Sequence, residues 1–357
     1  MPALPLTRAR LVAQALIGTK HACPVDAVRA FGAMQGQELP GVLASAALRS
    51  TGAVADAIAD LDGARLVRGY PMRGTVFLMA AADVTWITEL CAAAALRAAA
   101  ARRHKLGLDE AQIERALEVA RGALADGPRP RAHLLEHWQS EGLAPKDGRG
   151  YHLLFTLVAR NEIVYGPWNG SEQDVALVAQ WLPGNATLDD RFGGDRTPAV
   201  AELLLRYLTS HGPATLRDFA WWTKLGLGEI RAALPLIAAQ LESDGADEAS
   251  YWRPGLLDEV VALGRATAQP LLLPGFDEYI LGYRDRLFAM PSAHHERLVP
   301  GNNGVFKKSV VLGGRVCGTW SAGPTRKRAL EIAPFEPIAP GTVARLEAKF
   351  RSYPFIG

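Results

Sequence analysis

Two glutamines one residue apart, Gln35 and Gln37, stand in the stretch Phe31-Gly32-Ala33-Met34-Gln35-Gly36-Gln37-Glu38-Leu39-Pro40, a short polar island in an apolar setting. On a helix, residues i and i+2 point about 200° apart, so the two carboxamides act together only in an extended segment, where they share one face. Gly36 between them and Pro40 after them favour a helix end or a loop. Two converging carboxamides can orient one water molecule or one phosphate group. Neither ionises near neutral pH, so what they offer is positioned donors and acceptors rather than proton affinity. On spacing alone, the competing reading is a pair of amides that cap a helix or face solvent.

Other chemistries lack their residues. The helical pair His133 and His137 has Glu136 between its members, but the motif is not HExxH and no third ligand sits at a familiar distance, so a solvated helix face accounts for it. There is no GxxxxGK[ST] loop, no GxGxxG after a strand and no GxSxG elbow. Cys23, Cys91 and Cys317 are odd in number and far apart, which argues against a disulfide framework or a structural zinc. No metal and no cofactor is therefore expected.

The chain has 357 residues, 49% apolar and 21% charged, with 39 Lys plus Arg against 37 Asp plus Glu and a formal net charge of +2. That length suffices for several domains with sizeable cores. The balance excludes a polybasic tail or an acidic disordered activator but not a nucleic-acid partner, which responds to where charge sits. Charge is polarised: residues 271–357 hold 12 Lys plus Arg and 7 Asp plus Glu, whereas Glu242 to Glu259 holds six acids and one base, Arg253. No apolar run approaches the roughly 20 residues a membrane span needs, and no signal-peptide core follows the N-terminal charges. A soluble cytoplasmic protein is expected.

Helical periodicity predicts helices through Leu11, Val12 and Leu16, from Pro24, and through Val54, Ile58 and Leu61. Arg65 to Met79 then reads as strand, Gly/Pro turn, strand. The same order recurs as helices over Arg131–Ser140 and Tyr151–Arg160 and a strand over Glu162–Trp168. It recurs again as helices over Ala199–Ser210, Thr215–Trp222 and Gly228–Leu241. Three helix-helix-hairpin units suggest a tandem winged-helix array. The acidic stretch from Glu242 falls where the third wing should lie and would repel phosphate, so that unit is expected to be structural. From Ala268 the pattern turns to strands, with a hairpin around Gly313-Gly314 and a terminal helix through Val343, Leu346 and Phe350. The expected fold is mainly α with β. Its units span residues 1–125, 126–195 and 196–267, with a β-rich subdomain over 268–357.

Met34-Gln35-Gly36-Gln37 together with Arg73-Gly74-Thr75-Val76-Phe77-Leu78 resembles the signature of the AlkZ/YcaQ-like winged-helix DNA glycosylases, in which an LQxQ segment precedes an RGT hairpin strand. The resemblance continues through Gly212 to Trp222, through Leu273-Pro274-Gly275-Phe276-Asp277-Glu278-Tyr279-Ile280-Leu281-Gly282-Tyr283-Arg284-Asp285-Arg286, and through Gly314 to Trp320. It runs in order along nearly the whole chain, and the combination is far more specific than any one piece. It implies three tandem winged helices and a β-barrel-like subdomain, arranged as a C around a DNA channel. It also implies excision of N7-alkylated purines by a monofunctional glycosylase, with unhooking of interstrand crosslinks or removal of genotoxin adducts in some members. The catalytic motif falls on Gln35 and Gln37, the QxQ form of the AlkZ-type branch. Glu38 directly after it departs from the common pattern, either as a solvated neighbour or as an extra anion that polarises the water.

The chemistry suits two amides. An N7-alkylpurine already carries positive charge, its glycosidic bond is weakened, and the transition state resembles an oxocarbenium sugar. Holding a water at C1′ then supplies positioning, whose loss costs on the order of 10²-fold. Phosphate contacts are expected from Arg68 and Arg73 on the first hairpin, from Arg284 and Arg286, and from Lys307 and Lys308; ordinary solvated strand ends are the alternative for each pair. Arg102 to Lys105 weighs less because Asp109 and Glu110 follow. Arg326-Lys327-Arg328 either touches phosphate or caps the C-terminal region. The expected partner is double-stranded DNA carrying alkylated purines or crosslinks, and through it the protein is expected to associate with the nucleoid. No heptad marks a dimer helix, so a monomer is expected. Two rivals remain: a non-catalytic winged-helix DNA-binding protein such as a transcriptional regulator, and a family member that has lost catalysis.

Overall fold

The computed structural model describes residues 6–323 and 328–356, so Arg326 and Lys327 lie outside the described residues. Helix α1 (Leu6–Ala13) stops short of Leu16, because Ala15 takes a positive φ of 51° and ends the helical run. Then come α2 (Pro24–Phe31), β1 (Met34–Gln35), α3 (Leu39–Leu48), α4 (Val54–Asp62), β2 (Leu66–Met72) and β3 (Thr75–Ala80). Pro24 occupies the first turn of α2, where its missing N–H costs nothing. Helix α3 has no counterpart among the predicted elements. It begins with Pro40 in its first turn and is buried over Gly41 to Ala47. A helix apolar on all sides shows no periodicity to detect.

Helices α5 (Ala81–Cys91), α6 (Ala93–Lys105) and α7 (Glu110–Ala123) lead to α8 (Arg131–Ser140), α9 (Arg149–Ala159), β4 (Ile163–Trp168) and β5 (Gln173–Leu177). Short helices α10 (Val178–Trp181) and α11 (Leu188–Phe192) precede α12 (Arg196–His211), β6 (Ala214–Thr215), α13 (Leu216–Thr223), α14 (Leu227–Ala233), β7 (Glu242–Ser243) and β8 (Ser250–Trp252). The helix expected to run from Gly228 to Leu241 is broken: after Ala233 it continues as two 3₁₀ turns around Pro235. The rest comprises α15 (Leu256–Leu263), β9 (Pro270–Leu273), α16 (Glu278–Leu281), α17 (Ser292–Leu298), β10 (Ser309–Leu312), β11 (Arg315–Ala322), β12 (Leu330–Pro334) and α18 (Pro340–Arg351).

The segments α2-β1-α3-α4-β2-β3 and α12-β6-α13-α14-β7-β8 share one connectivity, helix-strand-helix-helix-strand-strand. In each, the first strand pairs with the last, giving the orders β1-β3-β2 and β6-β8-β7. The first sheet extends further, to β1-β3-β2-β4-β5, because Arg68 on β2 pairs with Tyr165 on β4. One apolar cluster joins this sheet to α12, α13 and α14 and contains Phe77, Trp86, Tyr207, Phe219 and Trp222. The C-terminal region corrects the barrel expectation. Its strands form an open four-stranded antiparallel sheet, β12-β11-β10-β9, that does not close on itself. Leu346 and Phe350 of α18 pack against Leu272, Val310 and Trp320 of this sheet. No single helix among the described residues is long and apolar enough to cross a membrane.

Candidate active site

Gln35 and Gln37 flank a glycine for a steric reason. Gly36 lies against β3, donating its N–H to the Val76 carbonyl at 2.8 Å, and a Cβ there would stand 2.9 Å from the Leu78 nitrogen. The extended segment ends where α3 begins, so the residues between Gln35 and Leu39 are loop. Gln35 is buried and Gln37 exposed, and both line one cavity of about 520 Å³.

The β2–β3 turn brings Arg73 to that cavity. Met72 pairs with Thr75, leaving a two-residue turn in which Arg73 and Gly74 both have positive φ, 57° and 69°. Hairpins favour such turns, and glycine suits the second position, but arginine in the left-handed region carries strain, a feature often found where a side chain must be aimed. Arg73 Nη2 donates to Gln35 Oε1 at 2.7 Å, and the guanidinium lies 4.5 Å from the Trp221 ring centre and 5.1 Å from that of Phe77. Burial lowers its pKa to about 10, against the pull of Glu278. With Oε1 taken by Arg73, Gln35 has its amide N–H groups left to offer. Gln37 keeps both donor and acceptor.

The rest of the lining is largely aromatic, with a second arginine. Tyr70, Tyr151, Trp221, Phe276 and Phe306 line the cavity with Arg286. The Arg286 guanidinium lies 4.8 Å from the Phe306 ring centre and 5.3 Å from that of Trp221, and its buried Nε has no hydrogen-bond partner. Arg73 Nε and Thr75 Oγ1 on the same cavity are likewise unpartnered. Two guanidinium groups, with no carboxylate among the described lining residues, suit the cavity to an anion flanked by planar rings.

The other expected site residues fall elsewhere. Arg68 turns inward: it donates to the Gly36 carbonyl at 2.8 Å and to Gln173 Oε1, so it braces the glutamine segment from behind, and burial lowers its pKa to about 10. Lys307 and Lys308 line a neighbouring cavity with Glu38, Gly275 and Phe276, and Lys308 Nζ is 5.1 Å from the Trp320 ring centre. Arg284 is exposed, and its backbone N–H is bound by Asp218 at 3.0 Å. His133 and His137 stand on α8 with ring centres 4.2 Å apart, away from the glutamines. Groups of three or more His, Cys, Asp or Glu side chains arranged for a metal are absent among the described residues.

Sequence reasoning missed Trp221, Tyr70 and Tyr151 as walls of the site, and it gave Glu278 no role. Glu278 is 1% exposed, and its Oε1 accepts the Gln35 backbone N–H at 2.6 Å. The available signal was the pair Asp277-Glu278 beside apolar Leu271-Leu272-Leu273 and Tyr279-Ile280-Leu281, since buried carboxylates need partners.

A family model described as DNA glycosylase AlkZ-like matches residues 28–353. Among solved structures, the Streptomyces sahachiroi DNA glycosylase AlkZ superposes with a TM-score of 0.77 at 20% identity, over 98% of this chain and 95% of that one, a likeness of fold. No curated protein sequence matches.

Proposed function

The chain belongs to the AlkZ-like DNA glycosylase family, and on that footing we propose that it hydrolyses the N-glycosidic bond of N7-alkylated purines in double-stranded DNA, with Gln35 and Gln37 as its catalytic pair. The observation that carries this reading is the cavity shared by both carboxamides with Arg73 and Arg286.

In this reading the two glutamines divide the work. Gln37, free on both sides of its carboxamide, accepts a hydrogen bond from the attacking water and aims its lone pair at C1′. Gln35, its oxygen held by Arg73, turns amide N–H groups toward the reacting sugar or base. Neither removes a proton in the transition state. A purine alkylated at N7 leaves as a neutral base, so the step breaks the C1′–N9 bond, forms a C1′–O bond to water and releases one proton. An unmodified purine would need protonation, which these amides do not supply, so it is not a substrate. The described residues lining the cavity include no lysine, which supports the reading of a monofunctional enzyme that leaves an abasic strand uncut.

Arg286 is assigned a phosphate beside the lesion, and Lys307, Lys308 and Arg284 the backbone further out. Arg68 and Arg73 act through the glutamine segment. The two repeated segments read as winged helices, with a third around β4 and β5, disposed about a DNA channel. The wing at β7 and β8, bearing Glu242, Asp244, Asp247 and Glu248, is kept from phosphate. An open-mouthed site would also accept bulky adducts and one arm of an interstrand crosslink, because the base need not enter a closed pocket.

The test is a single-turnover incubation with duplexes carrying N7-methylguanine, an N7–N7 crosslink or no lesion. Free N7-methylguanine with an uncut abasic strand is the expected outcome. Strand cleavage without alkali would contradict the monofunctional assignment. Tight sequence-specific binding of unmodified DNA without base release would favour a regulator.

A further inference from the structure

Beneath the glutamine pair lies a buried polar chain outside the cavity wall. Glu278 Oε1 accepts the Gln35 N–H at 2.6 Å, and Glu278 Oε2 is 3.3 Å from His211 Nε2. His211 Nδ1 is 2.9 Å from Ser210 Oγ, and Glu278 and His211 are 1% and 0% exposed. Phe31, Tyr207, Trp222 and Tyr283 surround the imidazole, the Tyr283 hydroxyl donates to the His211 carbonyl at 2.7 Å, and a Cβ on Gly282 would stand 2.5 Å from the ring. The ring cannot rotate away. So rigid a support for one backbone amide, 243 residues distant in sequence, is more than α16 requires for its own end.

Resting on the reading of Gln35 as catalytic, we infer that Glu278, fixed by His211, is a positioning residue for base release: it sets the Gln35 backbone and balances the Arg73 charge clamped to the Gln35 side chain. Gln35 is thereby gripped at both ends, by an anion at its N–H and a cation at its Oε1. The physical need is plain. Arg73 and Arg286 bring positive charge to a cavity where an oxocarbenium ion must form, and no lining side chain offsets it. Glu278 is the buried carboxylate bonded to the glutamine segment, and it attracts Arg73. A carboxylate in contact with the imidazole selects the neutral ring tautomer with its proton on Nε2. The Ser210 hydroxyl stands 2.9 Å from Nδ1 and 2.7 Å from the Arg206 carbonyl, so its single proton has two acceptors to serve. Burial lowers the His211 pKa and keeps the ring neutral, although Glu278 opposes the shift.

Glu278→Gln preserves size and an acceptor for the Gln35 N–H but removes the charge. Its single-turnover rate at saturating enzyme is expected to fall about 10–100-fold, the range for partners that hold a functional group from behind, while DNA affinity stays within about 2-fold. In a Gln35→Ala background, the same change is expected to alter the rate by no more than about 2-fold, because Glu278 acts through Gln35. An undiminished rate, or an equal further loss without Gln35, overturns the inference. A substrate-free measurement stands beside it. In ¹⁵N–¹H spectra of the wild-type protein, the Gln35 amide proton is expected far downfield, with His211 protonated at Nε2 and not at Nδ1. An ordinary amide shift, or a proton on Nδ1 alone, overturns the inference whether or not the substrate is correctly named. Failure of the wild type to release base overturns the substrate reading by itself.

Discussion

Arg73 and Gln35 sit 38 residues apart on a hairpin turn and a two-residue strand, yet the guanidinium donates to the carboxamide oxygen at 2.7 Å. That bond engages the carboxamide oxygen of Gln35 and holds the side chain in one orientation. It also separates two arginines of one cavity: Arg73 is engaged with a glutamine, whereas Arg286 lies between two rings with no acceptor.

The separation predicts opposite phenotypes. Arg73→Ala should slow single-turnover base release about 10–100-fold with little change in affinity. Arg73→Lys should not rescue it, because an ammonium cannot both stack on Trp221 and reach Gln35 Oε1. Arg286→Ala should weaken binding and reduce the slope of log K against log salt by about 1, leaving the saturated rate nearly unchanged. Salt-dependent anisotropy and single-turnover kinetics distinguish the two.

A second prediction concerns stability. Arg49 and Asp277, 0% and 1% exposed by side chain, are paired through two hydrogen bonds of 2.9 and 2.7 Å, and Ser45 donates to the same carboxylate at 2.6 Å. Asp277→Ala strands a buried guanidinium and should cost about 3–5 kcal/mol in denaturant unfolding. Because Asp277 also caps α16 by accepting the Tyr279 N–H at 2.9 Å, the loss should loosen Glu278 and lower the base-release rate as well.

Much of this arrangement was legible in the residues. Gly36 and Pro40 place the glutamines outside a helix, and Gly74 places a turn beside Arg73, because each answers to local backbone geometry. What was hidden depended on long-range contact. Helix α3 is apolar on every side and gives no period. The turning inward of Arg68 requires Gln173, which pairs into the same sheet only once β2 meets β4. The grip of Glu278 on Gln35 joins segments 243 residues apart. The open C-terminal sheet contains the hairpin expected around Gly313-Gly314, joined by β9 and by β12, which the sequence reading did not locate, and no local signal distinguishes four open strands from a closed barrel.

His211 contributes to the pH dependence of stability, in the same sense as the partly buried His21 and His152, whose pKa values burial also lowers. The folded-state pKa of His211 lies below the ordinary 6.5, through burial, with Glu278 opposing and Arg49 adding to the shift. The unfolded chain therefore takes up the proton first as pH falls. The contribution of a neutral His211 is fully present above pH 6.5 and is lost progressively below it. Thermal unfolding should show a melting temperature that declines from pH 6.5 downward. His211→Gln should flatten that decline while lowering the plateau, and a variant with an undiminished acid slope would assign the effect to other groups.

If a positioned pair of amides performs the chemistry, Gln37→Ala removes the acceptor that would hold the water. The rate of N7-methylguanine release is measured at saturating enzyme beside the affinity for the same duplex. The expected result is a rate lower by about 10²-fold with unchanged affinity. A Gln37→Ala enzyme that releases the base at the wild-type rate would show that the carboxamide pair does not carry the reaction.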